Sequence, residues 1–242
     1  MTELRQQADW MALSMARLLR NGEIVFHGLA SPLPMVSILL ARALDAPNLV
    51  YLSIAGAVNA EPSSLKESTV HPKLTEGATS YFSLAEIFDL SARGQLNTAF
   101  LSGVQIDIHG DINMSVIGDF DQPKVRLPGG AGSAVIMPTA QRVILWRTKH
   151  DRRSFVKDLS FRTASGRVDK VVTPLCIFSK EDGLLKVWRL RANVSWEEVA
   201  DKTEFELLKS ADFAIAAAPT ERELVALERV DPQGIRYAEF SL

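Results

Sequence analysis

Apolar positions along the first third of the chain alternate between two rhythms. Across residues 2–19, Ala8, Met11, Met15 and Leu18 recur at steps of three and four, which predicts an amphipathic helix. Asn21 and Gly22 end it, with Gly22 suited to the left-handed position past a helix C-terminus. Residues 23–27 then read as a short buried strand. A loop with Pro32 and Pro34 follows, and Pro34 opens an apolar helix over 35–44. Ala46, Pro47 and Asn48 turn the chain into a second apolar strand, 49–54, which Ala55 and Gly56 end. Continuous apolar strands separated by helices predict an open, mostly parallel α/β sheet covered by helices on both faces. Ligands of such sheets sit beyond the C-terminal ends of the strands. The loops at 28–34 and 55–62 are therefore the first places to look for chemistry.

Further along, 63–80 is polar and mixed, 82–91 reads as a helix and 98–101 as a strand. Polar and apolar residues alternate over 104–109, then Gly110 and Asp111 turn the chain. Gly129, Gly130 and Gly132 lie in a glycine-rich loop. Strands are expected at 143–146, near 171–178 and at 184–190, the last two joined at Glu181, Asp182 and Gly183. Ser195 with Glu198, and Thr220 with Glu223, make capping-box patterns for two late helices, the second over 220–228. There is no repeat, low-complexity segment or linker, so 1–242 is expected to form a single domain.

Composition narrows the classes. Of 242 residues, 47% are hydrophobic and 23% charged, which excludes a disordered, fibrous or coiled-coil chain. A net charge of −2 gives no electrostatic reason to expect nucleic acid. Cys176 is the sole cysteine, so no internal disulfide can form and a reducing, cytoplasmic setting is expected. The apolar stretch 24–41 is broken by Gly28, Pro32 and Pro34, so no membrane span is expected, and 1–20 lacks a signal-peptide pattern.

Familiar catalytic signatures are absent. His27, His71, His109 and His150 are far apart and show no metal-ligand spacing, so no metal is expected. No G-x-S-x-G, G-x-x-x-x-G-K-[ST] or G-x-G-x-x-G occurs where it would matter. Cys176 lies in an apolar run and reads as a buried strand residue. The basic run Lys149, His150, Arg152, Arg153 and Lys157 could hold phosphates; a solvated helix face is the plainer reading. Backbone N–H groups of the glycine loop could approach an anion or a carbonyl oxygen; the alternative is a tight turn.

The order of these pieces resembles the family I CoA-transferases, in particular the β subunit of glutaconate CoA-transferase. The likeness covers nearly the whole chain. Its most specific part is 100–134, where Gly103, Gln105, Ile106 and Asp107, then Gly110 and Asn113, then Ile117, Gly118 and Asp119, then Gly129 to Gly132 follow the family series G-x-Q-I-D, G-N-x-N, I-G-D and glycine loop. Asp111 departs from it, standing where the pattern has its first Asn. The resemblance implies a CoA-transferase-like (ribose-phosphate-isomerase-like) fold. It also implies a homologous α subunit in a heterodimer or heterotetramer and an acyl-CoA as substrate, with no resident cofactor. Its implied substrate-binding set is Ile54, Ala55, Gly56, Gln105, Asp107, Asn113, Gly129, Gly130 and Gly132, and a purely structural role for Gln105, Asp107 and Asn113 stays open.

One departure outweighs the matches. In true transferases of this family a β-subunit glutamate, in a motif ending E-x-G just past the second strand, attacks the acyl-CoA and becomes a glutamyl-CoA thioester. Here that stretch reads Ile54, Ala55, Gly56. Ile54 has no nucleophile, so no catalytic residue is assigned to this chain. The branch represented by the β subunit of the heteromeric steroid ring-opening hydrolase also lacks this glutamate, and the resemblance implies that its base comes from the α partner. Hydrolysis or C–C ring opening is therefore expected ahead of CoA transfer. The alternatives are a glutaconate CoA-transferase-like activity, with Glu61 or Glu67 as a displaced carboxylate, and a non-catalytic CoA-binding or scaffold subunit.

Overall fold

The structure, a computed structural model, describes residues 2–240. In chain order the elements are α1 (Glu3–Arg17), β1 (Ile24–His27), α2 (Pro32–Ala43), β2 (Val50–Ser53), β3 (Ala57–Val58), β4 (Ser80–Tyr81), α3 (Leu84–Ala92), β5 (Thr98–Leu101), β6 (Gln105–Ile106), β7 (Ile112–Asn113), β8 (Val116–Gly118), β9 (Pro123–Arg126), α4 (Ser133–Thr139), β10 (Arg142–Trp146), β11 (Val168–Val172), β12 (Cys176–Glu181), β13 (Leu184–Leu190), α5 (Trp196–Asp201), β14 (Lys209–Ile215) and α6 (Glu221–Val230). The expected α/β sheet flanked by helices is present. The chain, though without a linker, divides into two compact units: residues 1–100 with 218–242, and residues 101–217.

The first unit carries its strands in the order β5-β1-β2-β3-β4. β1 pairs in parallel with β2 (Val25 opposite Tyr51) and with β5 (Phe26 opposite Ala99). These strands are four residues long and their inner residues are nearly all buried, as a sheet covered on both faces requires. α1 buries Ala8, Met11 and Met15 of its predicted stripe, while Leu18, the fourth, is the half-buried residue just past the helix end. α2 buries Leu33, Met35, Val36, Ile38 and Leu40, so it is apolar on most sides. Its N-terminus reaches back to Pro32, because Pro32 and Pro34 occupy the first turn, where a missing N–H costs nothing.

After the second unit the chain returns as α6, opened by the predicted Thr220–Glu223 capping box. Arg17 at the end of α1 donates two hydrogen bonds to Glu223, at 2.6 and 2.7 Å, and holds that carboxyl down at about 2. Beyond α6, Arg236 is 1% exposed. It donates to Asp9 of α1 at 2.6 Å and to Asp231 at 3.1 Å, and also pairs with Glu228.

The second unit has the strand order β14-β13-β12-β11-β10. β10 and β11 are parallel, β11, β12 and β13 form an antiparallel meander, and β13 and β14 are parallel. The single strand expected near 171–178 is two strands. The Thr173 hydroxyl accepts from the Cys176 N–H at 3.0 Å and donates to the Cys176 carbonyl at 2.9 Å, which closes a turn between them. The predicted β12–β13 turn is made at Asp182 and Gly183, both with positive φ (54° and 81°). Two small ladders, β6–β7 and β8–β9, complete the unit.

Candidate functional site

In the first unit, β2 ends one residue earlier than its apolar run suggests. Ile54, Ala55 and Gly56 form a three-residue hairpin loop, and β3 turns straight back along β2, with Ser53 opposite Ala57. The Gly56 N–H donates to the Ser53 carbonyl at 2.8 Å, and the Ala55 N–H to the Ser53 hydroxyl at 3.2 Å. Gly56 has φ +85°, and a Cβ there would lie 2.8 Å from the Phe82 carbonyl oxygen. This is the hairpin that needs glycine at its last loop position. Ile54 therefore stands at the hairpin tip beyond the parallel strand β2, half-buried.

Beneath this tip lies a buried polar group that the apolar pattern had hidden. His27, the last residue of β1, is fully buried. Its Nδ1 is 2.7 Å from the Ser31 hydroxyl and 3.0 Å from the Gly28 carbonyl; its Nε2 is 2.7 Å from the Tyr51 hydroxyl. Burial pushes His27 down to about 4, and pushes the Tyr51 phenol up. The sequence signal was a lone polar residue closing an apolar strand: His27 after Phe26, and Ser53 after Leu52.

Glu61 lies beyond β3 rather than in the hairpin loop. Its side chain is 75% exposed, 3.7 Å from Arg42.

The remaining expected site residues belong to the second unit. Gln105 and Asn113 face each other across β6–β7. Asn113, fully buried, donates to Gln105 Oε1 at 2.7 Å and to the Val116 carbonyl at 2.6 Å, and accepts from the Ser115 N–H at 2.9 Å. Asp107 accepts from the His109 and Asp111 N–H groups at 2.9 and 3.0 Å, and burial raises its pKa. These bonds brace the β6–β7 connection through Asn113, Gln105 Oε1 and Asp107 Oδ1. The glycine loop leads into α4, with Gly132 as the residue just before the helix. The Gly129 N–H is already given to the Met114 carbonyl at 2.7 Å. A Cβ on Gly130 would lie 2.6 Å from the Thr163 methyl group, so close packing demands glycine there too.

The basic run at 149–157 is not a helix face. It is a loop that lies beside β6: Ile106 N–H donates to the Ser154 carbonyl at 2.7 Å, and Val156 N–H to the Ile106 carbonyl at 3.0 Å. His150 and Phe155 are buried within it, their rings stacked 4.2 Å apart. The helix reading failed because a cluster of charges does not reveal the buried His150 and Phe155 interleaved with it. Among the described residues, no helix is long and apolar enough to cross a membrane.

The coenzyme A transferase family profile matches residues 10–209. The chain belongs to the coenzyme A transferase family. Among its relatives is a 3-oxoadipate CoA-transferase subunit of Pseudomonas knackmussii, 32% identical over 242 aligned residues, covering 92% of each chain. The cholesterol ring-cleaving hydrolase IpdB subunit of Rhodococcus jostii is 26% identical, over 98% of this chain and 96% of that one. The solved structure of the decarboxylase AibA/AibB superposes with a TM-score of 0.89 at 27% identity, covering 96% of this chain and 97% of that one. Proteins similar to this chain thus include a transferase, a hydrolase and a decarboxylase by name.

Proposed function

We propose that this chain is the β-type subunit of a two-chain enzyme that acts on an acyl-CoA by hydrolysis or C–C bond cleavage, with its general base supplied by an α-type partner. The observation that carries the reading is Ile54 at the hairpin tip beyond β2. An alkyl side chain cannot attack a thioester, so a covalent CoA intermediate cannot form at that position. The likeness to a ring-cleaving hydrolase subunit and to a decarboxylase, both named for chemistry other than CoA transfer, supports the same branch. Tyr81 and Leu84, 69% and 58% exposed, flank Phe82, whose N–H is bonded to the Gly56 carbonyl at 2.9 Å. Such large apolar side chains beside the hairpin suit a surface that a partner chain covers.

The test is to copurify this chain with its α-type partner, incubate the complex with acyl-CoA and treat it with borohydride or hydroxylamine. Turnover with no CoA adduct on this chain, and with one solvent oxygen entering the product, is the expected result. A trapped CoA thioester on this chain refutes the reading.

The 32% identity to a 3-oxoadipate CoA-transferase subunit favours one second reading, CoA transfer through a displaced carboxylate. Glu61 is the residue it requires. Loss of acyl exchange on Glu61→Gln would support it, although the exposed position of Glu61 beyond β3 does not.

A further inference from the structure

We propose that His27 and Tyr51 are positioning residues that hold the end of β2, which carries the Ile54 hairpin, against the 28–31 loop through a directional chain of buried hydrogen bonds. The Ser31 hydroxyl gives its proton to the Gly28 carbonyl. His27 Nδ1 therefore faces two acceptors, the Ser31 oxygen at 2.7 Å and the Gly28 oxygen at 3.0 Å. Only a protonated Nδ1 satisfies both. A neutral ring carries one proton, so Nε2 presents a lone pair and accepts from Tyr51 at 2.7 Å. Ser53, two residues further along β2, is a polar neighbour of Tyr51 on the same face of the strand. The Ser53 oxygen accepts the Ala55 N–H, next to Ile54 in the hairpin loop.

The hydrogen bonds thus run from Tyr51 through His27 and Ser31 to the Gly28 carbonyl, every donor pointing the same way, and Ser53, beside Tyr51 on β2, takes the Ala55 N–H of the hairpin loop. His27, Ser31, Tyr51 and Ser53 are each no more than 2% exposed. Water has no ready access to replace a lost partner, so removing one link leaves its neighbours unsatisfied. The 28–31 loop and the hairpin beyond β2 lie at the C-terminal ends of parallel strands, the edge where open α/β sheets take ligands. The functional weight of this network rests on the reading of the Ile54 loop as part of the acyl-CoA site.

The full chain labelled with nitrogen-15 histidine is examined by NMR, alone and as Tyr51→Phe. His27 is expected as the Nδ1–H tautomer; the Nε2–H tautomer or an imidazolium at pH 7 overturns the proposal. In Tyr51→Phe, amide exchange at Ala55 and Gly56 is expected to quicken by about tenfold, with less than about threefold change at Val36 and Leu40 of α2. Ser53→Ala should give the same local loosening with the His27 tautomer unchanged. Acetyl-CoA binding to the copurified two-chain complex separates this proposal from the reading beneath it. Weakening by about fivefold in both Tyr51→Phe and Ile54→Ala supports the two together. A loosened hairpin with acetyl-CoA affinity unchanged in both variants leaves the network standing and overturns the acyl-CoA reading of the loop. Weakened affinity in Ile54→Ala alone, with exchange unaltered in Tyr51→Phe, overturns the network and leaves that reading intact.

Discussion

Lowering the pH from 8 to 5 should destabilise the first unit through His27. Folding buries the ring completely and drives it from the usual 6.5 to about 4, chiefly by desolvation of the imidazolium, with the Gly28 carbonyl opposing. The folded pKa lies below the unfolded one, so between the two the unfolded chain binds more protons. Stability is therefore intact above pH 6.5 and is lost as the pH falls toward 4. At pH 5 the unfolded ring is nearly all protonated and the folded ring nearly all neutral, and the linkage relation gives a loss of about 2 kcal/mol relative to pH 8. The figure is governed at pH 5 by the unfolded pKa, because the folded value already lies well below that pH. His150, in the second unit, is pushed down to about 3 by burial and then by Lys202, and adds a loss of the same sign. Urea unfolding followed by circular dichroism, with linear extrapolation at both pH values, measures the total. His27→Gln isolates the share of His27: the variant starts less stable, but its loss from pH 8 to 5 should be smaller than that of the wild type by about 2 kcal/mol. An equal loss in wild type and variant would refute a neutral, buried His27.

Three further outcomes test other parts of the structure. Gly56→Ala forces a positive φ on an L-residue and sets a methyl group 2.8 Å from the Phe82 carbonyl; urea unfolding should show a loss on the order of 2 kcal/mol, and an unchanged midpoint would contradict the hairpin geometry. Arg236→Met leaves Asp9 and Asp231 without their guanidinium and should cost about 3–5 kcal/mol by the same assay, whereas a neutral effect would show that the ion cluster contributes nothing net. Cys176 is fully buried, and burial pushes its thiol up to about 12. It should stay unlabelled by a disulfide reagent at pH 8 in the folded chain and react at once in urea; rapid labelling of the folded chain would mean that β12 opens readily.

Much of the fold was legible along the chain. The stripe Ala8, Met11, Met15 and Leu18 marked α1, though Leu18 falls just past its end, and the capping patterns at Ser195 and Thr220 marked the starts of α5 and α6, reciprocal at Thr220 and with only the Ser195 hydroxyl bond made in α5. The apolar runs marked β1 and β2, and Gly56 marked the end of the second. Other elements were hidden. β3 and β4 are two residues each, too short to carry a period, and they exist only because Ala57 and Tyr81 meet across the sheet. β14 likewise owes its extended form to its neighbour β13 rather than to any strict alternation of its own. The division into two units leaves no mark in composition, since the chain leaves the first unit after Phe100 and re-enters it at Ala218 with neither a linker nor a run of charge.

The sequence by itself determined the family pattern and the absence of a carboxylate in the E-x-G position, because residue identity at a fixed spacing needs no coordinates. Tertiary structure decided what those residues do. Gln105, Asp107 and Asn113 match the family series, and Asn113, Gln105 Oε1 and Asp107 Oδ1 brace β6–β7. Gly129 matches too, yet its N–H is already bonded to Met114. His27 and Tyr51, on two apolar strands, become buried hydrogen-bond partners below the Ile54 hairpin only when β1 and β2 lie side by side. Hydrogen-bond partners distant in sequence are fixed by strand pairing and burial, and neither is written in the local order of residues.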